Sequence, residues 1–374
     1  MKNIICASLM IFPIGFQYCS AQESSKNNKW LQEALENRPQ ADRNRDGILT
    51  MEEELAFTDG RTSVPTLTLY IPSDEEIRMV IEKGRKKNDT GPLEVEKSNG
   101  LRILMMGHSW VAPARKTFSP IARAAGFDGH QLRCHLSGGA TGVANSIWKK
   151  EFGRYGEKPP EPILLPALAT GQWDVLTLGV CYLGDRPEFY SQWIDLCLKY
   201  NPEMMFYIQS RWPRANWIKP DFSTLTQEQL LDSLLSQHIQ MQAQYSQTIY
   251  QPLEGKYPDK VHIIPAGSAV VALIQRFFKK EVPDLDCFDE KADGGKRGIF
   301  RDGSHLSLVS GTEWLIGYLY YGMLYRKSPQ LIKNFLPEGV PNRLDQTLRE
   351  IAWKTIIESP YSGIRDRDGN GVAD

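Results

Sequence analysis

Three groups of residues in this chain are spaced as chemistry would require. Ser109 stands in Gly107-His108-Ser109-Trp110, directly after an apolar run at 101–106. A serine hydroxyl is a poor nucleophile, so it needs a base, and the base needs an orienter. Arg301-Asp302-Gly303-Ser304-His305-Leu306 offers both. An Asp three residues ahead of a His can reach the imidazole from one turn of chain and fix its tautomer. Near the N-terminus, Asp42, Asn44, Asp46, Gly47, Ile48 and Glu53 fall at positions 1, 3, 5, 6, 7 and 12 of a calcium-binding loop, with apolar Leu49 at position 8. Calcium wants oxygens at those offsets, glycine allows the sharp bend, and Glu53 would close the shell with two oxygens. At the other end, Asp366, Asp368, Asn370, Gly371, Val372 and Asp374 repeat the first nine positions of that loop and lack the twelfth.

These residues need elements to hold them. The run at 101–106 has the texture of a strand buried in a parallel sheet. A helical pattern follows it and ends at Gly126, a good residue just past a helix C-terminus. The alternation repeats, with strands expected at 130–136, 173–179, 203–209 and 260–265. Helices are expected at 142–152, 187–199, 226–252, 267–279, 308–325 and 344–358. Strands alternating with helices predict a doubly wound α/β sheet over 101–330. The stretch 22–100 is polar and charged, with a helix near 74–86 and few strands. The segment 331–374 is a helix that leads into the second acidic loop.

A serine after the first strand of such a sheet points into the crevice where open α/β sheets bind ligands, and the next helix begins there with free N–H groups. Gly107-His108-Ser109 also opens the Gly-x-Ser-x-Gly elbow of α/β-hydrolases, but Val111 stands where the second glycine is needed. Those enzymes also place several strands before the elbow, and the chain before Leu101 has few.

With Gly107-x-Ser109 and Asp302-x-x-His305 in that order, the chain resembles the SGNH/GDSL hydrolases over roughly residues 101–325. The resemblance implies a flavodoxin-like, three-layer α/β/α parallel sheet, here carrying a small helical EF-hand-like appendage at the termini. It implies Ser109 as nucleophile, His305 as base and Asp302 as orienter. It also implies that Gly139, within Ser137-Gly138-Gly139-Ala140-Thr141, shares the oxyanion hole with the Ser109 N–H. Two departures stand out. His108 occupies a position where the family often has Asp. The family's third block, Gly-x-Asn-Asp, is replaced by Gly179-Val180-Cys181-Tyr182-Leu183-Gly184-Asp185, which has no Asn. One lost oxyanion donor typically costs about 10²–10³ in rate. A backbone N–H near Tyr182 or the side chain of Gln209 would be its replacement.

Trp110, Tyr182, Arg211 and Trp212 all follow strand ends, where aromatic faces could stack on sugar rings and arginine could pair with an anionic group. The expected reaction is therefore hydrolysis of a carboxylic ester, an O-acyl (acetyl) group on a carbohydrate first. A lipid or aryl esterase, or a non-catalytic glycan-binding protein on a degenerate fold of this kind, are the alternatives. Calcium in the two acidic loops is expected to be structural, with the loops pairing as such loops usually do, and no cofactor is expected for catalysis.

Composition narrows the partners. The chain carries 44 Lys and Arg against 45 Asp and Glu, for a formal charge of −1. A surface built to hold a phosphate backbone normally shows a basic excess, so nucleic acid is not expected. Lys2, the apolar stretch 4–16 and Cys19-Ser20-Ala21 read as an export signal cleaved after Ala21, which predicts a periplasmic or secreted protein. Phe16-Gln17-Tyr18 are too bulky for a good lipidation box at Cys19. No later run is long and apolar enough to span a bilayer. The remaining four cysteines are scattered and form no C-x-x-C zinc pattern. Neither disulfide pairing nor oligomeric state is legible.

Overall fold

Short runs of apolar residues separated by amphipathic stretches become a five-stranded parallel sheet. The computed structural model describes residues 24–26, 29–37, 39–42, 44–50, 53, 75, 99–136, 168, 171–179, 186–218, 222–294 and 297–374. The expected leader at 1–21, most of the helix near 74–86, the helix at 142–152, and the calls on Gly139 and Tyr182 lie outside them. By contacts the chain divides into two units, Met1–Tyr70 and Ile71–Asp374.

In the first unit, helix α1 (Lys29–Asn37) leads through a 3-10 turn to the first acidic loop. Leu31, Ala41 and Leu49 form a small buried cluster with Leu35 against it. Ser24 and Thr50 form an antiparallel bridge, and Ser25 N–H donates to the Leu49 carbonyl at 2.7 Å.

The second unit begins with β1 (Arg102–Gly107), whose last five residues are buried. Helix α2 (Ala112–Ala124) follows, with Pro113 in its first turn, and gives way to Gly126 at φ +85°. A proline at the first turn lacks only an N–H that the helix would leave unpaired anyway. Next come β2 (Gln131–Leu136) and β3 (Val175–Gly179), then helix α3 (Pro187–Tyr200) and β4 (Met205–Gln209). Helix α4 (Gln227–Tyr245) starts with a reciprocal capping box between Thr226 and Gln229. It runs through a π-helical turn at Ser246–Tyr250 into the short helix α5 (Gln251–Lys256), so the helix expected over 226–252 is interrupted near its end. Strand β5 (Val261–Ile264) leads into α6 (Ala266–Phe278).

The sheet order is β2-β1-β3-β4-β5, all parallel. With helices between the strands, this is an α/β architecture compatible with three layers. The order reverses between β1 and β3, and open sheets bind ligands beyond the strand carboxyl ends at that point. Ser109 follows β1 there.

Two three-residue strands, β6 (Cys287–Asp289) and β7 (Gly298–Phe300), form a separate parallel pair that sequence reasoning did not anticipate. The following helix, expected from 308, begins only as α7 (Trp314–Tyr325). Ser307, Ser310 and Thr312 turn their hydroxyls onto nearby backbone and one another, which offers the chain an alternative to helix. Helix α7 is buried from Leu315 to Leu324, as expected of a helix apolar on every side. It lies so close to α2 that a β-carbon at Gly317 would stand 2.2 Å from Thr117 Oγ1. Helix α8 (Asn342–Glu358) packs on α7 and α6, joining the C-terminal segment to this core. Among the described residues no helix is long and apolar enough to cross a membrane. Cys134, Cys197 and Cys287 are free thiols.

Candidate active site

The turn that carries Ser109 is built from small clearances. A β-carbon on Gly107 would lie 2.5 Å from Val111 Cγ2, so glycine lets the chain fold onto its own next turn. Val111 N–H closes that turn on the His108 carbonyl at 2.9 Å. His108 is buried, with Nδ1 3.4 Å from the Trp110 N–H, and serves the turn from beneath. Ser109 alone faces out.

His305 arrives on the loop after β7. Arg301 N–H donates to the His305 carbonyl at 2.8 Å, and Phe300 bridges Leu306, so residues 301–305 form a closed loop. Gly303 sits at φ +68°, a conformation that side chains rarely adopt, and the bend turns Asp302 back toward His305. The Asp302 carboxylate accepts from His305 N–H at 2.9 Å and from His305 Nδ1–H at 2.9 and 3.0 Å. That commits Nδ1 to the carboxylate and leaves Nε2 as the acceptor, 3.0 Å from Ser109 Oγ. The tautomer follows from the partners. Arg301 Nη2 also reaches Asp302 at 2.9 Å. Burial pushes the Asp302 carboxyl up, but the His305 N–H, the Arg301 guanidinium and the His305 ring outweigh it and hold it at about 2. Asp302 is thus ionised at any pH where the imidazole needs an anion beside it.

A cleft of about 160 Å³ opens beside Ser109 and His305. Ala112, Pro113 and Leu306 give it an apolar side; Lys116, Arg301 and Glu313 give it a charged one. Glu313 is buried, which raises its carboxyl against the pull of Lys116 at 3.7 Å. The arrangement can deprotonate a serine hydroxyl against a small electrophile and hold the resulting imidazolium.

The aromatic residues take places other than those expected. Trp110, Arg211 and Trp212 are 4%, 1% and 0% exposed, so they do not offer open faces to a sugar. Trp110 and Trp212 stack on each other, with the Arg211 and Arg214 guanidiniums 5.3 and 4.9 Å from the Trp110 ring centre. Burial is the reason: both rings belong to the core under the sheet's carboxyl edge. Only Trp212 keeps an edge on the cleft. Gln209 is also spoken for, since its Nε2 donates to the Trp110 carbonyl at 3.1 Å. Sequence reasoning missed Arg301, although it directly precedes Asp302, and Lys116 and Glu313, which carry no local signal.

The two acidic loops have the same internal pattern. Gly47 N–H donates to Asp42 Oδ2 at 2.8 Å, and Gly371 N–H to Asp366 Oδ2 at 3.1 Å. Asp46 N–H meets Asn44 Oδ1, and Asn370 N–H meets Asp368 Oδ1. Ile48 and Val372 N–H close on Asp46 and Asn370. The Glu53 carboxylate, expected to close the shell, instead accepts from Thr50 N–H and Oγ1. Asp374 accepts from the Arg367 N–H. Among the described residues no three acidic, His or Cys side chains converge as a metal cluster. Oδ1 of Asp42 and Oδ1 of Asp366 are nonetheless buried with no hydrogen-bond partner.

Comparison with known proteins adds little to this geometry. No family model matches the chain, and no curated protein matches it. Solved structures with some likeness include a DUF4886 family protein from Bacteroides uniformis, at 14% identity and TM-score 0.46, covering 69% of this chain and 95% of that one. A candidate platelet activating factor from Streptococcus pneumonia is 17% identical at TM-score 0.32, over 66% and 92% of the two chains. The periplasmic domain of a lipopolysaccharide acetyltransferase from Salmonella ser. Paratyphi A is 13% identical at TM-score 0.28, over 46% and 69%. At these values the functional argument rests on the side chains.

Proposed function

We propose that this protein is an exported serine esterase of the SGNH type that hydrolyses carboxylic esters, with Ser109, His305 and Asp302 as its catalytic triad. The observation that carries the reading is the unbroken chain from Ser109 Oγ to His305 Nε2 at 3.0 Å and from His305 Nδ1 to Asp302 at 2.9 Å. Nucleophile, base and orienter within hydrogen-bond reach are the geometric signature of an activated serine. In the first half-reaction Ser109 Oγ adds to the acyl carbon while its proton passes to His305 Nε2. The tetrahedral adduct expels the alcohol, which leaves with that proton. Water then adds to the acyl-serine with the same proton path, releasing the carboxylic acid and restoring Ser109. Asp302 stabilises the imidazolium in both halves and remains ionised. The Ser109 and Gly139 N–H groups are the proposed oxyanion donors.

The small cleft supports a short acyl group, and an O-acetyl ester on a carbohydrate remains the first substrate class. With the Trp110 and Trp212 faces committed to each other, sugar contact would come from the charged wall formed by Lys116 and Arg301. The competing reading is a glycan-binding protein that has lost catalysis, favoured by the missing Asn after β3. A fluorophosphonate probe separates the two. The purified chain should label at Ser109, and Ser109→Ala should not; a chain that stays unlabelled while still binding glycan would remove the esterase reading.

The acidic loops are proposed as structural calcium sites. Buried, unpartnered carboxylate oxygens on Asp42 and Asp366 fit a divalent cation, because burying an oxygen without a partner is costly. Asp42, Asn44, Asp46, the Ile48 carbonyl and Glu53 would hold one ion. Asp366, Asp368, Asn370, the Val372 carbonyl and Asp374 would hold a second.

A further inference from the structure

The loop that carries Asp302 and His305 is closed at its base by its own backbone but held at its tip from outside. Its bend at Gly303 depends on what receives the backbone there. The Gly303 carbonyl accepts from Ala215 N–H at 2.9 Å. The Gly303 N–H, on the peptide directly after Asp302, donates to Asp289 Oδ2. Asp289 ends β6 and is 2% exposed. Its other oxygen, Oδ1, accepts from Ala292 N–H at 2.9 Å, which fixes the carboxylate's own orientation. The adjacent Glu290 holds the far side of the loop, accepting from Ser307 Oγ at 2.5 Å and Gly298 N–H at 3.1 Å.

A buried carboxylate is an expensive way to satisfy two backbone N–H groups, since burial disfavours the charge. A neutral acceptor would serve the fold as well. A charged acceptor makes a shorter, stronger bond and tolerates less drift in the peptide it holds. The peptide in question sets where the Asp302 side chain leaves the backbone. Rotating it would move the Asp302 carboxylate off His305 Nδ1, and with it the imidazole off Ser109.

We propose that Asp289 is a positioning residue of the active site: its carboxylate clamps the Gly303 N–H and so fixes Asp302 against His305. Its catalytic consequence rests on the esterase reading; the clamp itself does not. Misplacement of about 1 Å at a reacting group can cost on the order of 10² in rate.

The test compares Asp289→Ala, Asp289→Asn and Asp293→Asn in the full chain. Asp293 accepts from the Asp289 N–H in the same turn but does not reach Gly303, so it controls for general damage to β6. Turnover of p-nitrophenyl acetate is normalised to sites titrated by fluorophosphonate. Asp289→Ala is expected to lower kcat about 10- to 100-fold with KM within about twofold. Asp289→Asn has no charge and one acceptor oxygen for the N–H groups of Gly303 and Ala292, so it should recover only part of that loss, and Asp293→Asn should match the wild type. If Asp289→Ala does not fold, Asp289→Ser, too short to reach Gly303, takes its place. The His305 Nδ1–H proton resonance is followed in parallel and needs no turnover. Its loss or broadening in Asp289→Ala, with Asp293→Asn unchanged, supports the clamp. Unchanged resonance and kcat in Asp289→Ala, or equal losses in all three, would overturn it. A wild type that neither labels nor turns over, while Asp289→Ala still loses the resonance that the wild type has, would sink the esterase reading and leave the clamp standing.

Discussion

Trp110 stacks on Trp212 with ring centres 4.7 Å apart and planes 17° from parallel. This contact ties the two halves of the candidate site together. Trp110 is the residue after Ser109, and Trp212 Nε1 donates to the Ser304 carbonyl at 2.8 Å, inside the loop that carries His305. Arg214, over the Trp110 ring, also donates to Ser304 Oγ at 2.9 Å. Trp212→Phe keeps a ring in the stack and removes the hydrogen bond; Trp212→Ala removes both. Activity should fall in that order, by about tenfold and then about a hundredfold. The alanine variant should also lose about 3–5 kcal/mol of stability from the emptied core position. Steady-state kinetics with urea unfolding checks both, and equal activity in the two variants would show that the stack does not position the site.

Asp302→Asn should lower kcat by about 10⁴ while leaving the fold intact, because the amide can stabilise the wrong tautomer of His305 and cannot balance an imidazolium. Turnover of p-nitrophenyl acetate reads this. A loss below tenfold would mean that His305 is oriented by something else.

The same carboxylate predicts a pH dependence of stability. In the folded protein it is held at about 2, below the 3.8 of an ordinary aspartate. A depressed carboxyl contributes stability that is full above the unfolded value and fades as pH falls through the folded one. The melting temperature of the wild type should therefore exceed that of Asp302→Asn near neutrality, with the gap closing between about pH 4 and pH 2. A gap that persists unchanged at the acid end would contradict the assignment.

Helix α8 is anchored by a buried ion pair. Arg349 Nε donates to Asp345 at 2.7 Å, and its Nη atoms donate to the carbonyls of Pro329, Ile332 and Phe335 at 3.0, 2.9 and 2.5 Å. Both side chains are almost fully buried. Arg349→Met leaves the buried Asp345 carboxyl without its cation and three backbone carbonyls without their donor, and should cost about 3–5 kcal/mol. Urea unfolding measures it, and Arg349→Met with Asp345→Asn should cost less than the single change. The active-site distances do not involve this pair, so kcat should hold.

Calorimetric titration of the full chain with calcium tests the acidic loops. Two bound ions are expected in the wild type and one each in Asp42→Ala and Asp366→Ala. The affinity in such loops spans several decades with ligand charge, so the stoichiometry is the decisive reading. No heat in the wild type up to millimolar calcium would retire both sites.

Local pattern determined a good deal of this protein. Strands β2 to β5 and helices α3, α6 and α8 lie within two residues of where periodicity puts them. Asp302 and His305 are legible together because the contact between them spans three residues, and Ser109 because the turn after a first strand is itself a sequence feature. What tertiary structure decided is direction and distance. Whether Trp110 and Trp212 face a substrate or each other depends on how β1 and β4 lie in the sheet, with β3 between them. Strands β6 and β7 are three residues each, too short to show a period, so Asp289 had no signal until the fold brought it under Gly303. Likewise Lys116 and Glu313 meet only because α2 and α7 pack together. Periodicity records which face of an element is buried; it does not record which element buries it, and the positioning of this site depends on the second.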